Sequence, residues 1–220
     1  MSIVRTLLAL LLTCNSRLER VQKDKLIARI LRVCFGLDMQ SVEPAGLATL
    51  ILERVQDTVS TKELDVRVLF QYERPQELTR AAERISIHSD YSMVAARLYM
   101  TALHKDTEKR FSQVVRELYS QTNGAMGITK DVYDTVVANA DALDSAIIHA
   151  RDLQLDWDAV QSFKGCLLIA SDGCVPERPQ HLLMRMAVAQ HGSDIDRVID
   201  TYTFLSKFLP TCKRRLLAGF

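Results

Sequence analysis

Apolar residues return every three or four positions through most of this chain, and that spacing commits it to a mainly helical fold. Leu26, Ile30, Val33 and Leu37 fall at i, i+4, i+7 and i+11, the positions that line one face of a helix, and Gly36 stands where a C-terminal cap belongs. Pro44 opens a second helix, because proline is tolerated in a first turn, with Leu47, Leu50, Ile51 and Val55 on its inner side. Ser60 and Glu63 have capping-box spacing ahead of Leu64, so three short helices are predicted before Val66.

Around Glu73-Arg-Pro75 the pattern fails, since proline removes a backbone donor and restricts its predecessor; residues 66–89 read as a loop or an insertion. Periodicity resumes with Val94, Leu98 and Leu103, then with Phe111, Val114, Val115 and Leu118, and stops near Asn123-Gly124, a dipeptide that favours positive φ. Ile128, Val132 and Val136 predict a helix ending near Asn139. A short β-hairpin is expected near residues 165–176, where Ser171-Asp-Gly173 supplies turn chemistry between two apolar stretches. Pro179 then opens a helix through Leu183, Met186 and Ala187, and Ile195, Val198, Ile199 and Tyr202 mark another.

Charge and cysteine usage exclude several function classes. Lys and Arg number 28 against 27 Asp and Glu, a net charge of +1, so the basic surface that nucleic acid requires is missing. No apolar run reaches the ~20 residues of a membrane span. Cys14, Cys34, Cys166, Cys174 and Cys212 are odd in number and irregularly spaced, which spells neither a zinc site nor a disulfide framework and implies reduced thiols in a cytoplasmic protein. Residues 1–14 place one arginine before a short apolar run in the manner of a signal peptide, but no small-x-small cleavage site follows. His88, His104, His149, His181 and His191 never stand three or four residues apart, so a metal-dependent or thiol-dependent hydrolase finds little support; His181 and His191 read as satisfied polar residues.

Several blocks carry a family likeness. Arg17-Leu-Glu-Arg-Val21 through Lys25 and Arg29 to Cys34-Phe-Gly-Leu37, Thr61-Lys-Glu-Leu-Asp65, Asp90-Tyr91 with Ala95-Ala-Arg97, and Leu103-His-Lys-Asp106 are four of them. Asp131-Val-Tyr-Asp134 on to Ile148, Glu177-Arg-Pro-Gln-His181 on to His191, and Asp194-Ile-Asp-Arg-Val-Ile-Asp-Thr-Tyr202 are three more. In order and spacing they resemble the large subunit of class I ribonucleoside-diphosphate reductases from about Arg17 to Ser206. The resemblance implies an ATP-cone-like helical domain over residues 1–112, a helical N-terminal domain over 113–208 and the start of a barrel region over 209–220. It implies an enzyme of the thioredoxin-dependent type, allosteric ATP or dATP, a small iron-containing partner subunit and self-association of large subunits. Carried over residue by residue, the nucleotide-contacting positions are Glu19, Arg20, Val21, Gln22, Lys23, Asp24, Lys25, Thr61, Asp65 and Lys105. A triphosphate needs point charges such as Lys25 or Lys105, Asp65 can accept from a sugar hydroxyl or base amine, and Thr61 near a helix start stands where amides favour an anion.

Two departures qualify this expectation. Where the family has a basic Lys-Arg-Asp-Gly turn, this chain has Thr13-Cys-Asn-Ser16; losing even one charge-assisted bond to phosphate costs about 1.5–3 kcal/mol, tenfold or more in affinity. At the other end, Leu209-Pro-Thr-Cys-Lys-Arg-Arg215 replaces the family's substrate-phosphate turn, and Cys212 lies too early to be its first redox cysteine. The chain is therefore expected to contain no catalytic cysteine and to be inactive alone. Its alternative is a truncated, non-catalytic paralogue acting as an interaction module. Leu183, Met186, Ile195 and Ile199 are expected to lack part of their partner surface, making the isolated chain prone to aggregate.

Overall fold

A computed structural model describes residues 18–20, 23–52, 58–60, 89–122, 128–164, 166–167 and 177–208. The described elements are β1 (Leu18–Arg20), α1 (Lys23–Val33), α2 (Pro44–Leu52), β2 (Thr58–Ser60), α3 (Asp90–Asp106) and α4 (Phe111–Thr122), followed by α5 (Lys130–Ala138), α6 (Ala140–Ala146), a 3-10 helix (His149–Gln154), α7 (Trp157–Lys164), α8 (Pro179–His191) and α9 (Ile195–Phe208). The fold is mainly helical, as the periodicity requires. None of the described helices is long and apolar enough to cross a membrane. The expected hairpin near residues 165–176 and the capping box at Ser60 and Glu63 lie outside the described residues, apart from Ser60, Cys166 and Leu167.

The chain divides into two compact units, Met1–Ala102 and Leu103–Phe220. In the first, Ile30 and Val33 of α1 meet Ala48 of α2 and Tyr91, Val94 and Leu98 of α3, with Cys34 and Val42 from the connecting turn. Gly36 adopts φ +70° just past α1, a left-handed backbone that glycine enters without a Cβ clash. Arg97 clamps the same turn, donating from one guanidinium nitrogen to the carbonyl oxygens of Val33 at 2.8 Å and Phe35 at 2.6 Å while its Cζ lies over the Phe35 ring, 3.9 Å from the centroid. Cys34, between those two carbonyls, is buried and free, and burial pushes its thiol up.

One feature of this unit left no periodic signal: β1 and β2 form a short antiparallel ladder with Leu18 opposite Ser60 and Arg20 opposite Thr58. The second unit is built around α8, which packs along α9 and also touches α5 and the 3-10 helix, while α4 packs on α5 and α6. Phe111, Val114, Val115 and Leu118 bury one face of α4, and Val132 and Val136 that of α5, whose first turn is capped by Thr129 accepting from the Val132 amide. Leu183, expected to lack a partner surface, is buried within the unit, whereas Met186, Ile195 and Ile199 are partly so. Among the described residues of that unit, the large apolar ones left exposed are Ile148, Phe204 and Phe208.

Candidate functional site

The residues expected to hold a nucleotide fall into three groups. Glu19 and Arg20 lie in β1, opposite Val59 and Thr58. Lys23, Asp24 and Lys25 are the first three residues of α1, with Asp24 exposed. A helix start presents amides without intrahelical partners and the positive end of the helix dipole, so the first turn of α1 is a backbone suited to an anion. Lys105 is exposed in the last turn of α3 and belongs to the second unit. Val21, Gln22, Thr61 and Asp65 lie outside the described residues.

A second polar constellation, buried in the second unit, was not singled out from the sequence. Arg178, one residue before α8, donates from Nε to Thr107 Oγ1 at 2.8 Å and from Nη2 to the carbonyl oxygens of Thr107 at 2.6 Å and His104 at 3.1 Å. The Asp152 carboxylate, 0% exposed, takes His104 Nε2 at 2.7 Å on one oxygen and Gln180 Nε2 at 3.0 Å on the other. Gln180 accepts in turn from the Tyr202 hydroxyl at 2.9 Å, and that hydroxyl receives the Ile148 amide at 2.9 Å. Burial pushes the Tyr202 phenol up, which keeps its proton on the donor side. Arg185 and Glu177 close a bidentate pair at 2.7 and 3.2 Å beside it.

Each member is engaged by another part of the same unit, so the constellation joins α3, the 3-10 helix, α8 and α9. As expected, His181 and His191 are satisfied, by the Lys109 carbonyl and by Thr201 Oγ1. Among the described residues no three His, Cys, Asp or Glu side chains are placed to hold a metal ion. The one clue in the sequence was the density of polar residues in Glu177-Arg-Pro-Gln-His181, at the start of a helix whose next turn is apolar.

No protein-family model matches the chain. Curated proteins do. The ribonucleoside-diphosphate reductase large chain of Neurospora crassa is 38% identical over 197 residues, covering 87% of this chain and 20% of that protein. Its namesake in Schizosaccharomyces pombe is 38% identical over 198 residues, 88% of this chain and 23% of the relative. In Danio rerio the ribonucleoside-diphosphate reductase large subunit is 36% identical over 194 residues, 86% of this chain and 23% of the relative. Similarity sustained over nearly all of this chain, along a stretch that makes up 20% to 23% of these relatives, places the chain in the ribonucleoside-diphosphate reductase large-subunit family.

Proposed function

We propose that this chain is the nucleotide-sensing and assembly-forming part of a ribonucleoside-diphosphate reductase large subunit, in an enzyme that reduces ribonucleoside diphosphates to deoxyribonucleotides for DNA synthesis in the cytoplasm. The observation that carries the reading is the 38% identity to the Neurospora crassa large chain over 87% of this chain. Because the match spans 20% of that relative, reduction by cysteine chemistry with thioredoxin is proposed for the enzyme as a whole, and this stretch is given the sensing and assembly roles. Its partners are a small iron-containing subunit, other large subunits, and ATP or dATP as effector.

The β1-to-α1 step supports the nucleotide assignment, since it carries Glu19, Arg20 and Lys23 to Lys25 at a helix start. Lys25 and Lys105 supply charge to the phosphates, with Thr61 and Asp65 completing the set around the sugar and base. The substitution of Thr13-Cys-Asn-Ser16 for a basic turn favours weak binding and supports the second reading, a non-catalytic paralogue that modulates full-length large subunits by association.

Titration calorimetry of the full chain with ATP and with dATP tests the first reading. Binding is expected, with Lys25→Ala and Lys105→Ala each at least about tenfold weaker, equivalent to about 1.4 kcal/mol. No heat at ~1 mM of either nucleotide, well above the affinity a few charge-assisted bonds provide, overturns nucleotide sensing. Co-purification of this chain with a full-length large subunit then decides for the interaction module.

A further inference from the structure

His181 is 0% exposed in the first turn of α8, and both its ring nitrogens are spoken for. Nδ1 faces the Arg178 backbone N–H at 3.4 Å, and Nε2 faces the Lys109 carbonyl oxygen at 3.3 Å. An amide only donates and a carbonyl only accepts, so the neutral ring with its hydrogen on Nε2 satisfies both. A second proton, on Nδ1, sets two donors against each other and removes the acceptor at the helix start.

Edge-on to that ring, with centroids 5.3 Å apart, stands His149 of the 3-10 helix, whose Nδ1 is buried without a hydrogen-bond partner. His104 of α3 stands edge-on to His149 at 6.0 Å. The other groups bearing on the pair are the Arg178 guanidinium, Asp152, Lys109, and Glu108 through Arg178; the Tyr202 phenol of α9 reaches Gln180 and the Arg185 side chain of α8 pairs with Glu177. Asp152 is the carboxylate nearest in effect, and its two oxygens already take His104 and Gln180. A proton arriving on either ring therefore meets a guanidinium and another imidazole, and the Asp152 oxygens are turned to His104 and Gln180 instead of to either ring.

We propose that the His149–His181 pair is a proton-operated latch on the start of α8: the corner is closed while both rings are neutral, and opening it takes up one proton on each. Burial, reinforced by the other imidazole and Arg178, holds His181 down to about 3, and burial with Arg178 holds His149 down to about 4. In an opened corner both rings return to an ordinary value near 6.5. The stabilisation is therefore complete above about pH 6.5 and is lost progressively as pH falls from there toward the folded values, because the open form binds the protons first. Within that window each proton raises the opening constant about tenfold per pH unit, and the pair about a hundredfold. Both rings belong to the second unit, so the latch acts there.

Urea unfolding of the full chain, followed by the fluorescence of Trp157, tests this between about pH 6.5 and about pH 5, above the range where free carboxylates titrate. Trp157 is the chain's single tryptophan and is buried in α7 of the same unit. The wild-type unfolding constant is expected to rise about tenfold per pH unit at about pH 6.5, where each open ring is half protonated, and to steepen toward about a hundredfold per unit near about pH 5. His181→Gln, whose amide can still accept from Arg178 and donate to Lys109, and His149→Phe are each expected to remove about one proton, leaving about tenfold per unit or less. A wild-type slope below one proton overturns the latch, and that holds even if neither variant folds. A steep wild-type slope that both variants retain overturns it equally.

Discussion

Arg178 and Thr107, 71 positions apart, are joined twice, through the Thr107 hydroxyl at 2.8 Å and its carbonyl at 2.6 Å. The guanidinium reaches both because its donors are fixed in one plane, and a third bond to the His104 carbonyl uses the same fork. Arg178→Lys keeps the charge and loses the fork, leaving buried acceptors unpaired; a loss of about 2 kcal/mol is expected, against about 3 kcal/mol for Arg178→Ala. Urea unfolding monitored through Trp157 measures both, and an Arg178→Lys variant as stable as the wild type would show that planarity contributes nothing.

Asp152 is bound on both oxygens, so its neutral isostere must give up a bond or force a change at His104. In Asp152→Asn the new side-chain amide meets a second donor when its NH2 faces Gln180 Nε2, and when it faces His104 Nε2 it pairs only if that ring moves its hydrogen to Nδ1. The substitution is expected to destabilise by about 2 kcal/mol and Gln180→Ala by a similar amount. The double variant should cost clearly less than the sum, because both remove the same bond. Additive losses in that cycle would mean that the network is a set of independent contacts.

How much of this was legible from residues follows from range and length. Helices with a clean apolar stripe were readable: Phe111, Val114, Val115 and Leu118 are all 1% or 2% exposed, as their spacing predicted. The β1–β2 ladder was not, because three-residue strands are too short to show alternation, and pairing Leu18 with Ser60 is a tertiary event. Residues 140–164 were missed because their elements are short and Asp152, their most buried polar group, belongs to a residue type that defaults to the surface. The nucleotide residues came from family likeness and not from pattern, and a charged residue next to a helix start has no local signature that separates a ligand contact from a solvated face.

Gly36 offers a test of backbone strain free of packing. At φ +70° with no atom within 4 Å of where a Cβ would sit, Gly36→Ala meets no neighbour and pays only for the left-handed conformation. A loss of about 1 kcal/mol is expected from circular dichroism in urea. Gly192, at φ +57° and ψ −123° after α8, lies outside the left-handed helical region, so the same substitution should cost more there despite the open surroundings. A neutral outcome at Gly36 would mean that the turn relaxes to negative φ, which should also disturb the Arg97 bonds to Val33 and Phe35.

Phe204 and Phe208, one turn apart on α9, are 57% and 49% exposed and lean on each other with ring centroids 4.7 Å apart. Ile148 adds a third exposed apolar side chain in the same unit. Water-facing aromatics of this size are a liability for a free chain, since association removes them from solvent at roughly 25 cal/mol per Å2 of apolar area covered. Leu183 is buried and Met186, Ile195 and Ile199 are partly so, which makes these rings the more exposed candidates for self-association. Phe204→Ser with Phe208→Ser is expected to lower the aggregated fraction in light scattering while changing unfolding stability by less than about 1 kcal/mol, because little buried contact is lost. Unchanged scattering with intact stability would locate the association elsewhere, and the exposed Leu31, Phe35 and Met39 of the first unit would be the next positions to replace.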